Sequence, residues 1–163
     1  MRTPLRHRRP AATRRPSGWP AARDDARRLA VEIGRGQPDT PFDAMAAGVV
    51  LHPSETAYRQ VPIWLFAFDH DHWAAPSPVQ AVITDQRLIC RLPTWQLATL
   101  LWRGAVGLYV DLPRARVTLD YGDGAPVTVA GDAIPMVAVA AVAFTLGPAA
   151  LLSHPSLACL RQI

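Results

Sequence analysis

Nineteen consecutive residues near the end of the chain, Ile134–Leu152 (IPMVAVAAVAFTLGPAALL), carry no charge. Such a run must be hidden from water, either in lipid or in a protein core. A bilayer span needs about 20 apolar residues, so the length alone permits a membrane segment. Two features favour the core. Much of the run is alanine, which adds little per residue to insertion. Gly147-Pro148 also interrupts it, leaving roughly fourteen positions before the break, a length closer to a buried helix. A helix apolar all round is a deeply buried one, and the expectation is a capping helix inside a domain, with a membrane segment as the alternative.

The residues ahead of that run read as short strands. Thr56–Phe68 (TAYRQVPIWLFAF) is rich in β-branched and aromatic side chains, with Pro62 marking an edge strand or bulge. The loop DHDHWAAPSP follows. Val79–Thr84 and Arg87–Leu92 flank Asp85-Gln86, a tight hairpin turn. Leu97–Trp102 suits strand or helix, and Ala105–Val110 is a strand candidate. Arg116–Tyr121 and Pro126–Val129 flank Gly122-Asp123-Gly124-Ala125; glycine tolerates the positive φ that hairpin turns require. Six or so strands separated by turns imply a small sandwich or barrel.

Charge divides the chain. Residues 1–36 hold ten Arg against Asp24, Asp25 and Glu32, whereas residues 37–163 hold seven Arg against ten Asp or Glu. All seventeen basic residues are Arg. Residues 1–20, with Pro4, Pro10, Pro16 and Pro20 among arginines, have little to bury and are expected to be disordered. Residues 21–36 read as an amphipathic helix on Ala22, Ala26, Leu29, Ala30 and Ile33. Asp24 and Asp25 would sit in its first turn, with Gly34 and Gly36 stopping it. A second short helix is expected from Thr40 as cap and Pro41. The folded body is assigned to residues 43–163. The N-terminal MRTPLRHRRP has no apolar run after its charges, so no secretory signal is expected. Cys90 and Cys159, outside any C-x-x-C, then suggest a reducing cytoplasm.

Four segments carry a family resemblance: Gly48–Glu55 (GVVLHPSE), Val82–Ile89 (VITDQRLI), Trp102–Asp111 (WRGAVGLYVD) and Val117–Gly124 (VTLDYGDG). On these the body resembles the bacterial pleckstrin-homology-like, GRAM-type domains over about 110 residues, with VITDQRLI the most specific part. The resemblance implies two nearly orthogonal antiparallel sheets, about seven strands in all, closed by one C-terminal helix. Arg87 is expected to pair with an acidic neighbour, Glu55 being the candidate. The resemblance breaks at the site: where phosphoinositide-binding members carry a basic first hairpin, this chain has Arg59 and then Asp69, His70, Asp71 and His72, and an acidic loop repels phosphate.

Those four residues are also the densest group of potential metal ligands. In an extended segment His70 and His72 would point the same way, and zinc or nickel accepts imidazole and carboxylate; a polar loop is the simpler reading. Trp73 and Trp95, in proline-rich connections, are candidates for an exposed recognition surface. Arg8, Arg9, Arg14 and Arg15 are candidates for contact with an anionic partner. No G-x-S-x-G elbow, Walker A loop or G-x-G-x-x-G is present, and no cofactor is expected. The expected function is a non-enzymatic cytoplasmic module that binds a protein. Peripheral membrane association through the Arg-rich segment and apolar helix, and non-specific nucleic-acid binding by that segment, are the alternatives.

Overall fold

The computed structural model describes residues 18–69 and 71–162. Helix α1 (Trp19–Arg35) is followed by eight antiparallel strands: β1 (Ala57–Asp69), β2 (His72–Trp73), β3 (Ser77–Thr84), β4 (Arg87–Arg91), β5 (Leu97–Leu101), β6 (Gly107–Asp111), β7 (Arg116–Asp120) and β8 (Val127–Ala130). Helix α2 (Ile134–Leu146) and the short helices α3 (Ala150–Ser153) and α4 (Ala158–Arg161) complete the order. The strands form one sheet in the order β5-β4-β3-β1-β8-β7-β6, with β2 paired to the far end of β1. The sheet is open, with β5 and β6 at its ends, so one continuous sheet stands where a small sandwich or barrel of two sheets was expected. The long β1 joins its two halves, pairing with β3 over Ala57–Leu65 and with β8 over Trp64–Ala67.

Both expected hairpins form. Ile83 pairs with Leu88 around Asp85-Gln86, and Leu119 with Val127 around the glycine turn, where Gly122 and Gly124 take positive φ. The ambiguous Leu97–Trp102 segment is β5 running into a 3-10 turn at Trp102–Gly104.

Strand periodicity divides the sheet into two faces. Val61, Ile63, Val79, Ala81, Ile83, Leu88 and Cys90 point inward and join one core with α2. Every residue of α2 from Ile134 to Ala143 is buried. The sheet covers only one side of it. The other side is covered by α1, whose Ala26 and Leu29 are fully buried against the same core. The uncharged run, expected as a capping helix, thus lies between the sheet and α1. Alanines on both helices permit this close approach. Among the described residues no helix is long and apolar enough to cross a membrane.

Other local expectations are corrected. Helix α1 begins at Trp19, inside the stretch expected to be disordered, with Trp19 itself buried and Pro20 in the first turn. Asp24 and Asp25 therefore fall beyond the first turn. Gly36, at φ 75°, ends the helix, its N–H donating to Ile33 O, while Gly34 stays helical. No helix starts at Thr40. Instead the Asp43 carboxylate accepts from Ala46 N at 2.9 Å and the chain makes a single turn ended by Gly48 at φ 62°. The C-terminal run ends as a helix at Gly147, and short helices follow. His154 stays extended ahead of Pro155, as the residue before proline prefers.

The outward face of β3 and β4 is covered at one end only. Ala47 and Val49 pack on Ala57, Val82 and Ile89 in a second small core. Gly48, between Ala47 and Val49, makes room for Arg91: a methyl group on its Cα would stand 2.5 Å from Arg91 Nη2.

Candidate functional site

The most specific motif in the sequence builds a structural staple. Arg87 grips Glu55 with two parallel bonds of 2.8 Å, Nε to Oε1 and Nη2 to Oε2. The Glu55 carboxylate also accepts from the Thr84 hydroxyl at 2.7 Å and from His52 N at 2.9 Å. Arg87 Nη2 further donates to Val50 O, Asp85 accepts from Thr56 N, and the Trp102 indole donates to Thr84 O. Burial pushes the Glu55 carboxyl up, but the Arg87, His52 and Thr84 donors outweigh it and hold its pKa at about 2. Every partner lies within the protein. The staple fixes the chain ahead of β1 onto the β3–β4 hairpin, and so sets the outward face on which the site lies.

Beyond the cover of residues 42–51, that face opens into a groove of about 610 Å³. Its floor is the outward row Pro62–Gln80–Arg91 and the neighbouring pair Trp64–Pro78. Trp95 rises on one side from the β4–β5 turn, and Gly131 and Asp132 form the other wall after β8. Trp95 is 79% exposed and Trp64 47% exposed. Arg91 lies 5.6 Å from the centre of the Trp95 ring.

The conformation of Trp95 is costly. Leu92 N donates to Gln96 O and Trp95 N donates to Leu92 O, closing a three-residue turn. Trp95 takes the left-handed position, φ 64°, where hairpins of this length prefer glycine and an L side chain costs about 1–2 kcal/mol. A bulky indole held in that conformation and left largely in water gives the fold little in return. Strain of this kind clusters at binding sites.

The groove offers two indole surfaces, three proline rings with Pro93, one cation and one carboxylate. Aromatic faces take proline rings and guanidinium groups, and a floor of extended strands suits an extended ligand. Cys90 lies beneath on the inward face, its thiol pushed up to about 12 by burial.

Of the residues singled out in the sequence, Trp95 stands in the groove and Trp73 does not. Trp73, on β2, packs edge-on to Phe68 with ring centres 5.3 Å apart and remains half exposed. Asp69 pairs with His72 across a tight turn, with Asp71 at φ 63°, so this run doubles back instead of staying extended. His70 lies outside the described residues, and among those described no three potential metal ligands gather. Arg8, Arg9, Arg14 and Arg15 likewise lie outside the described residues. Trp64 and Asp132 were not singled out. Strand alternation could have placed Trp64 outward beside Pro62; nothing local in the sequence brings Asp132 to them.

A buried ion pair was also missed. Glu32 of α1, 1% exposed, bonds to Arg59 of β1, clamping the helix to the sheet. Comparison of the chain with protein-family models, with curated proteins and with solved structures gives no match.

Proposed function

We propose that the chain is a non-enzymatic interaction module of pleckstrin-homology-like fold, acting in the cytoplasm, whose outward groove takes an extended, proline-containing segment of a protein. Support for the fold comes from strand number and the closing helix. With the two-residue β2 set aside, seven antiparallel strands are followed by an apolar helix, the count and the helix that the resemblance implies. Support for the function rests on one observation above all: Trp95 is kept exposed, in a strained turn position, over a groove already lined by Trp64 and prolines. Extended proline-rich segments dock in aromatic-lined grooves because they are pre-ordered and lose little entropy on binding.

Panning the full chain against a displayed peptide library tests this reading. The expected ligands are extended and proline-containing, and their affinity falls at least ten-fold in both Trp95→Gly and Trp64→Ala. Ligands that bind the two variants as tightly as the parent contradict it.

A further inference from the structure

The free edge of β5 has the sequence and the open main-chain groups to pair with itself. We infer that a second copy of this chain adds its β5 there, antiparallel and in a register centred on Thr99. Nothing in this pairing depends on what the groove binds.

β5 pairs with β4 on one side and ends the sheet on the other. Two bonds at its ends fix which groups point where. Trp102 N donates to Gln86 O, and Gln96 O accepts from Leu92 N, so the even-numbered residues turn their main-chain groups toward β4. Alternation along an antiparallel strand then turns those of Leu97, Thr99 and Leu101 off the edge. Leu101 O accepts from the Tyr121 hydroxyl at 3.3 Å, which leaves it a second lone pair. Among the described residues no strand lies on that side.

Proteins ordinarily guard such an edge with charge, proline or a bulge. Leu97–Leu101 (LATLL) pairs with β4 in unbroken register and carries neither charge nor proline. Leu97, Thr99 and Leu101 are exposed. The other free edge, β6, contains Gly107 and Asp111.

The order of side chains selects the occupant. Leu97-Thr99-Leu101 reads the same in both directions. A twofold axis at Thr99 sets it opposite the partner's Thr99, and sets Leu97 opposite the partner's Leu101, all on one face. On the other face Ala98 stands opposite the partner's Leu100, small against large. No charge meets a like charge. Each outward pair can exchange two main-chain bonds, and a strand of unlike sequence would make those bonds without the side-chain match. The contact is isologous and closes at two copies. Five residues a side make a small interface, of the weak and transient class.

The test is sedimentation of the full chain from ~1 µM to ~1 mM. The mass is expected to rise with concentration from one chain to two. Thr99→Lys sets like charges opposite each other at an exposed position, and should weaken the association roughly ten-fold with the thermal melt unchanged. Disulfide trapping reads the register in a Cys159→Ser background, where the remaining Cys90 is buried. Thr99→Cys should give a linked dimer on mild oxidation, since its two Cα atoms stand ~5.5 Å apart in such a pair. Leu101→Cys should not, because its two copies lie four residues out of register, ~13 Å apart.

A mass of one chain at ~1 mM overturns the inference. So does a dimer that Thr99→Lys leaves intact, which seats the second copy elsewhere. Equal trapping of the two cysteines refutes the register. Growth beyond two copies refutes the twofold, because it requires unlike edges to meet head to tail.

Discussion

Replacing Glu55 by glutamine separates the staple from everything around it. In the folded protein the Glu55 pKa is held at about 2, against an ordinary value of 4.5. A depressed carboxyl stabilises the fold above its unfolded pKa, and the benefit disappears as pH falls through the folded one. The shift corresponds to about 3 kcal/mol at pH 7, roughly half of that at pH 3, and nearly nothing below pH 2. The side chain is fully buried, so solvent screening takes little from this figure. Glutamine keeps the shape and an acceptor for His52 N, but leaves the Arg87 guanidinium without its counter-charge. Urea unfolding followed by tryptophan fluorescence should therefore show the variant about 3 kcal/mol less stable at pH 7. The gap between parent and variant should stay flat from pH 7 to about 5 and close steadily from pH 5 to 2. A gap under about 1 kcal/mol at neutral pH, or one that does not close on acidification, would mean that the Glu55 charge does not hold the staple.

Trp95→Gly should leave stability within about 1 kcal/mol of the parent or raise it, because relief of the left-handed strain offsets the lost contact with Arg91; a thermal melt showing a larger loss means that Trp95 is there to hold the turn. Leu29→Ala should cost about 2–5 kcal/mol and shift one cooperative transition, since fully buried Leu29 packs in the core shared with α2 and the sheet; a body melting at its parent temperature would detach α1 from the fold. A thiol reagent at pH 8 should label Cys159, which is partly exposed, and spare Cys90, whose thiol is buried and stays protonated below about pH 12; rapid labelling of both in native protein contradicts the packing beneath the groove.

Much of the sheet could be read from residues alone because its signals are local. A turn such as Thr84-Asp85-Gln86-Arg87 carries its own chemistry: the Thr84 hydroxyl accepts from Gln86 N and Arg87 N, and glycine marks the β7–β8 turn. The burial of Ile134–Ala143 was equally legible, since an uncharged run must leave water and this one, broken at Gly147-Pro148, is short for a bilayer. What covers it was not. The face of α1 made by Ala22, Ala26, Leu29 and Ile33 could have met any apolar surface, and only the fold joins it to α2. The Glu32–Arg59 pair depends on that docking and was hidden for the same reason. The site was half legible. Trp95 is conspicuous in a proline-rich turn, but the turn's left-handed position and the approach of Asp132 arise from sheet register and from the path of the chain after β8. The run Asp69–His72 was a candidate for metal on spacing alone, and His70 lies outside the described residues.

The groove is tested most directly by mapping a selected proline-containing peptide onto the full chain by amide chemical-shift changes. The largest changes are expected to cluster at Ile63, Trp64, Val79, Gln80, Arg91, Trp95 and Asp132, and Trp95→Gly should remove them while its spectrum stays that of a folded protein. Changes running along the free edge of β5, Leu97–Leu101, with the groove residues unmoved, would contradict it.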